Sequence, residues 1–254
     1  MAHSLEQRSL GGGLVNSTQL DEYQLKLPVV RDNIYALAQL DDYMGLPRRQ
    51  FPHRPPVKLT LEARMSSAEH AGTWGFGIWN DPFSFGINRE KLSVGLPVLP
   101  NAAWFFCASS HNYLSLRDDQ VSSGFHVRTY SSPRLPSVLS LLGLPVLPLM
   151  VWPVTARLVR RIARKLIKEE SQAVNVVLDD WHLYSLEWRN QDVSFSIDGE
   201  SILVTGVNPN GRLGLVIWID NQYFRFDPQG KIGYGFLETQ QDNCLWVRNL
   251  KIHG

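Results

Sequence analysis

Cysteine is nearly missing from this chain of 254 residues, where Cys107 and Cys244 are the only two and stand far apart. They cannot supply a disulfide framework, and with seven scattered histidines they show no zinc-ligand spacing, so no metal and no cofactor are expected. The opening MAHSLEQRSLGGG lacks the apolar run of a signal peptide. The expected setting is therefore the reducing cytoplasm, peripheral on the inner membrane face if the chain touches lipid. Charge of one sign is not in excess, with 25 basic and 24 acidic residues and a net +1. A serine elbow, a phosphate loop and a dinucleotide fingerprint are also missing, and the Gly11–Gly13 triplet follows no predicted strand.

Aromatic and β-branched residues are what the chain does have. Hydrophobic residues make up 44% of it, and the eight tryptophans provide broad surfaces to bury or to offer to a ligand. Beyond a loose arm at 1–20, short segments rich in such residues recur between Gly, Pro and Asn/Asp punctuation. VKLTLEARM (57–65) alternates in hydrophobicity, as do the segments at 181–188 and 193–197. Asp198-Gly199 between SFSI and ESILV is a hairpin signal, and CLWVRNLKI (244–252) reads as a closing strand. Residues 21–254 are expected to form one all-β antiparallel sandwich.

One segment breaks this pattern. Leu135 to Ala156 runs for 22 residues without a charge, but its prolines at 136, 145, 148 and 153 argue against a straight spanning helix. The next run, RLVRRIARKLIKEE, repeats Leu158, Ile162 and Leu166 at every fourth position. Residues 154–170 hold +4 against −3 elsewhere, so the global balance hides a basic patch. A helical insertion at about 133–172 is expected. It either caps the sandwich with its apolar face on the core, or docks on a membrane surface or a partner through residues 135–168. Without stacking aromatics between the basic residues, nucleic acid is not expected as a partner.

WHLYSLEW, VSFSIDGESI and GRLGLVIWIDNQ together resemble the C-terminal half of concanavalin A-like jelly rolls, most closely family 16 glycoside hydrolases. GTWGFGIW matches the floor strand of that family in style, and the likeness covers roughly residues 57–130 and 174–254. The resemblance implies a concanavalin A-like β-sandwich (jelly roll) with a concave cleft. It does not bring the family's hydrolysis, because none of the ten glutamates is followed two residues later by an aspartate. Retaining enzymes there need Glu-x-Asp-x-(x)-Glu to put their acids on one face. NAAWFFCASSH (101–111) instead has no carboxylate, so a cleft containing Trp104 and Phe106 is apolar.

Two Trp-x-Asp pairs, Trp79 with Asp81 and Trp218 with Asp220, are the first candidates for chemistry. On strands of one sheet they face a common cleft, where Gly75 and Gly77 would leave room for a ligand. A carboxylate kept from water beside indole rings has its pKa raised and suits a general acid. The plainer alternative makes Asp81 the start of an Asp-Pro turn, Asp220 an acceptor for loop amides and the tryptophans packing. Asp42 and Tyr43 at a cleft mouth, and Asn221, Gln222 and Tyr223 beside Asp220, are candidates for orienting a polar head. His111 and His126 are isolated, and Cys107 reads as a small buried hydrophobe. The expectation is a cleft that binds a lipophilic or amphipathic molecule, with Asp220, Asp81 or Asp42 serving acid/base chemistry of a cyclisation or isomerisation kind. The alternatives are a non-catalytic carbohydrate-binding module, with Trp79 and Trp218 stacked on sugar rings, and a glycosidase with rearranged acids.

Overall fold

A computed structural model describes residues 5–19, 21–67, 69–82, 98–134 and 152–254. The uncharged stretch at 135–151 lies outside the described residues. Two seven-stranded antiparallel sheets face each other. The first has the order β1 (Glu6–Leu10), β4 (Leu37–Asp41), β13 (Gly214–Asp220), β6 (Thr73–Trp79), β7 (Ala102–Ala108), β8 (Gly124–Ser131), β9 (Lys168–Ala173). The second has the order β12 (Glu200–Thr205), β11 (Val193–Ile197), β10 (His182–Trp188), β5 (Val57–Met65), β16 (Asn243–His253), β3 (Glu22–Leu27), β2 (Leu14–Gln19). A separate hairpin pairs β14 (Gln222–Phe226) with β15 (Ile232–Phe236). This is the antiparallel jelly-roll sandwich that the sequence predicts.

The main core lies between the sheets. Val57, Leu59, Leu61, Ala63 and Met65 of β5 point into it while Lys58 and Glu62 face solvent, the alternation of a half-buried strand. Trp74, Phe76, Phe105, Val127 and Ile217 meet them from the first sheet. Asp198 and Gly199 both take positive φ, 52° and 85°, as the tight turn between β11 and β12 requires. The Asp198 carboxylate also accepts the Leu183 amide at 2.8 Å.

Two elements differ from the expectation. The arm at 1–20 contains two strands, β1 on β4 and β2 on β3, so Gly11–Gly13 turns the chain from one sheet to the other. A Cβ on Gly11 would meet the Tyr35 carbonyl oxygen at 2.1 Å, so that crossing needs glycine. The basic helix, α1 (Pro153–Leu166), begins with proline in its first turn but stops before KEE. Lys168, Glu169 and Glu170 open β9, where backbone pairing with β8 outweighs their poor strand propensity. The insertion is thus shorter than 133–172, and its last residues belong to the sheet.

Candidate functional site

β6, β7 and β13 are buried along nearly their whole length, so the first sheet is covered on both faces. Register decides what its outer face displays. Gly75 stands between Trp218 on one side and Phe106 on the other, and Gly77 between Val216 and Trp104. Because Gly75 has no side chain, the rings of Trp218 and Phe106 meet across it with centroids 5.5 Å apart. A Cβ there would lie 2.9 Å from Trp218 Cη2 and 2.4 Å from the Phe105 carbonyl oxygen. The glycines therefore make room for the protein's own rings, not for a ligand as the sequence reading supposes.

These rings form one carpet. Trp79 and Trp218 stack at 6.4 Å with planes 6° apart, Trp104 lies 5.6 Å from Trp218, and Phe106 lies 5.5 Å from Trp104. Tyr43 joins by accepting the Trp79 indole N–H at 2.8 Å. Trp104, Trp218 and Phe106 are only 6–8% exposed. Leu114, Leu116 and the α1 residue Ala163 pack against the same cluster. An open polar depression of about 360 Å³, lined in part by Arg54, Arg134, Asn190 and Asn208, shares no residue with the carpet.

Asp220 closes one end of the face. Its Oδ1 accepts the Thr73 hydroxyl at 2.8 Å and the Thr73 and Gln222 amides at 3.2 and 3.3 Å. Among the described residues its Oδ2 has only the Tyr35 hydroxyl, at 3.5 Å. Burial raises its pKa to about 7, against the opposing pull of those hydrogen bonds. The Trp218 indole N–H donates to the same Thr73 hydroxyl at 3.0 Å, tying the acid to the carpet. Behind it, His70 donates to the Asp220 carbonyl at 2.7 Å, and burial lowers the ring's pKa to about 4, so it stays neutral. Asp220 is thus a carboxyl with one oxygen fixed by three donors and the other held by one long hydrogen bond.

The other predicted residues divide. Leu37, Gln39 and Asp41 share the outer face, so Asp42 falls on the opposite parity. Asp42 spends its carboxylate on His53 Nε2 at 2.5 Å and the Leu215 amide at 2.8 Å, a structural tie that takes it out of the acid role. Asp41, the adjacent carboxylate that the sequence reading weighed and set aside for Asp42, sits on the face instead. It accepts Gln39 Nε2 at 2.8 Å and the Met44 amide at 2.7 Å, and burial raises its pKa. Asp81 lies beyond the end of β6 with φ 46°, and its carbonyl receives the Arg48 guanidinium. Asn221 is fully buried and spends its side chain on Ala36, Ile34 and Leu237 backbone groups, so it staples loops and does not orient a ligand. Tyr223 covers Gly235 in the β14–β15 hairpin, and Gln222 lends Asp220 its amide. Cys107 is buried, and its thiol is pushed up to about 12.

Thr73, Tyr35 and His70 were missed. For Asp41 the signal was parity, since adjacent carboxylates of a strand face opposite ways, and the reading chose the wrong one of the pair. Asp41 and Asp220 stand one strand and four residues apart, roughly 14 Å. Glycosidase carboxyls lie about 5–9.5 Å apart, so this pair does not make a rearranged glycosidase. Among the described residues no group of three or more His, Cys, Asp or Glu is placed to hold a metal ion.

No family model matches the chain, and no curated protein matches it. Solved structures do resemble it. A glycoside hydrolase family 16 endo-glucanase from Bacteroides ovatus is similar at 12% identity, over 98% of this chain and 94% of that one, with a TM-score of 0.48. The catalytic domain of an endo-1,3-beta-glucanase (laminarinase) from Thermotoga petrophila RKU-1 is similar at 11% identity, over 93% and 81%, with a TM-score of 0.44. A structure of botulinum neurotoxin type C, whose cell entry depends on two ganglioside molecules, is similar at 7% identity with a TM-score of 0.45. The match covers 98% of this chain and 43% of that one, so this chain spans less than half of the toxin chain. At such identities and TM-scores the likeness carries no argument about family or activity, and the fold rests on the two seven-stranded antiparallel sheets themselves.

Proposed function

We propose that the outer face of the first sheet receives an amphipathic small molecule, its apolar body on Trp79, Trp104, Phe106 and Trp218 and one end at Asp220. The supporting observation is Asp220 itself, a carboxyl with a pKa of about 7 and one oxygen held only by the long Tyr35 contact, at the border of an aromatic floor. Neutral Asp220 gives a proton to a double bond of the ligand, and the resulting carboxylate takes one back from a carbon next to the cation so formed. The result is an isomerisation or cyclisation with no net proton consumed. Rings this buried favour a greasy partner over a sugar, whose stacking needs a ring plane open to water. A thermal-shift comparison tests the reading, because a ligand that prefers the folded chain raises its melting temperature. Terpenoid alcohols and dodecanol should raise Tm and neutral β-glucan oligosaccharides should not; the reverse pattern would favour a lectin-like module.

A membrane surface supplies such molecules, and α1 fits one. Ala156 and Arg160 face the protein, with Arg160 Nη1 donating to the Ser115 and Phe226 carbonyls at 2.7 and 2.6 Å. Val154, Leu158, Ile162 and Leu166 then form an outward stripe, 42–70% exposed, below the equally exposed Trp152. Arg157, Arg161, Arg164 and Lys165 flank the stripe, so its partner is an anionic bilayer surface. Among the described residues no helix is long and apolar enough to cross a membrane. Sedimentation with phosphatidylglycerol vesicles, but not with phosphatidylcholine vesicles, is the expected result.

A further inference from the structure

Three strands across the sheet from Asp220, the outer face holds polar groups that the acid end does not use. Register sets Trp104 against Arg128 and Phe106 against His126, whose rings lie 5.3 Å apart. Arg128 is 1% exposed. Its Nη1 donates to the Tyr130 hydroxyl at 2.8 Å and its Nη2 to the Val121 carbonyl. Among the described residues, the Nε–H of Arg128 and the indole N–H of Trp104 are both buried without a hydrogen-bond partner. Two unused donors therefore belong to cross-strand neighbours beside the aromatic carpet.

The charge is also uncompensated. Arginine cannot shed its proton in a protein, and a buried cation without a counter-ion costs several kcal/mol. Among the described residues no carboxylate forms an ion pair with Arg128. The near candidate on this face is Glu169, which stands opposite Tyr130 and commits Oε1 to the Ser115 hydroxyl at 2.7 Å and the Arg117 amide at 2.5 Å. Its Oε2 is buried and unpartnered. His126 donates Nδ1–H to the Gly124 carbonyl at 2.9 Å, and burial with the Arg128 charge holds its pKa well below the usual range. It stays neutral, so among the described residues Arg128 is the one cation here, and the nearby Glu169 carboxyl is tied through Oε1 to Ser115 and Arg117 and not to it.

We propose that Arg128 and Trp104 form an anion subsite, so that the ligand of the aromatic face is an amphipathic carboxylic acid held here by its carboxylate. The inference rests on the reading of that face as a binding site. Arg128 Nε–H and Trp104 Nε1–H each donate to the carboxylate, in the charge-assisted geometry that favours arginine. Asp220 is roughly 20 Å away, three strand spacings across the sheet and four residues along it, so the molecule spans the carpet with its acid at one end and its reacting bond at the other.

Calorimetric titration of the full chain with matched pairs tests this: dodecanoate against dodecanamide, and oligogalacturonate against neutral galactan oligosaccharide. Dodecanoate should bind at least tenfold more tightly than its amide. Arg128→Met should erase that preference while leaving the affinity for the amide. Trp104→Phe keeps the ring, removes the N–H and should reduce the preference severalfold, which tests the subsite even if Arg128→Met fails to fold. Equal binding of acid and amide, or a preference that survives in folded Arg128→Met, overturns the anion subsite and leaves the aromatic site standing. Preference for oligogalacturonate alone supports the subsite and overturns the lipophilic reading. No binding by any probe overturns both.

Discussion

Phe105 and Phe106 are neighbours in β7 and face opposite ways. Phe105 meets Phe76, Tyr184 and Phe195, with ring centroids 5.0–5.3 Å apart, inside the core between the two sheets. Phe106 meets Trp104, Trp218 and the His126 imidazole. Both faces are buried and, among the described residues, both hold an idle indole N–H, Trp74 inside and Trp104 outside, but the outer one also holds a protonatable carboxyl and an arginine without a counter-ion. On the proposed reading the carboxyl and the arginine, rather than the aromatic area, distinguish that face from a second core.

The largest effect separates the two neighbours. Phe105→Ala should cost about 3–5 kcal/mol of unfolding free energy in urea, the range for emptying a core position. Phe106→Ala should cost about half as much, because loops and one helix, not a second sheet, cover that face. It should also weaken dodecanol binding. Equal losses with unchanged binding would make the outer face a second core and remove the basis for a site there.

This difference explains what the sequence made legible. Strands with one wet face, such as VKLTLEARM, announce themselves by alternation, and β5 has the expected bounds of 57–65. In AAWFFCA both parities are apolar, so the pattern marks a strand but cannot say which residues face a ligand. The acid at 220 was legible because its strand places Trp218 two residues before it. Its partners Thr73, Tyr35 and His70 come from other segments, and only the fold brings them together. Arg128 in FHVRTY looks like an ordinary surface charge until β9 and residues 113–121 bury it. Asp41 and Asp42 differ only in parity, which a strand one residue longer or shorter would reverse.

A smaller effect sharpens the polar side of the comparison. Asp220 titrates near 7 in the folded chain and near 3.8 when free, so both states hold the proton below about pH 4. Between pH 4 and 7 the unfolded chain ionises while the folded chain does not, so this residue's contribution falls as pH rises and levels off above 7. Roughly 2–4 kcal/mol is at stake over that window. Asp220→Asn keeps an acceptor for Thr73 and cannot ionise. Its denaturation midpoint should lose this pH slope and match or exceed that of the wild type at pH 8. An unchanged slope would mean that Asp220 is ionised throughout, and the acid role would fall with it.

The smallest stability effect belongs to α1, and there the comparison runs the other way. Ala156 and Arg160 hold the helix to the body, whereas Leu158 and Ile162 are each 51% exposed and touch little that folding needs. Replacing both with glutamine should change unfolding free energy by no more than about 0.5 kcal/mol, as for ordinary surface positions. The same double variant should lose sedimentation with phosphatidylglycerol vesicles, since it removes the apolar anchor and leaves every basic residue in place. Retained sedimentation would mean that charge alone draws the protein to the vesicles. A stability loss of 2 kcal/mol or more would mean that the stripe packs on the protein itself, as the capping alternative expects. Either result would separate α1 from the supply of ligand to the aromatic face.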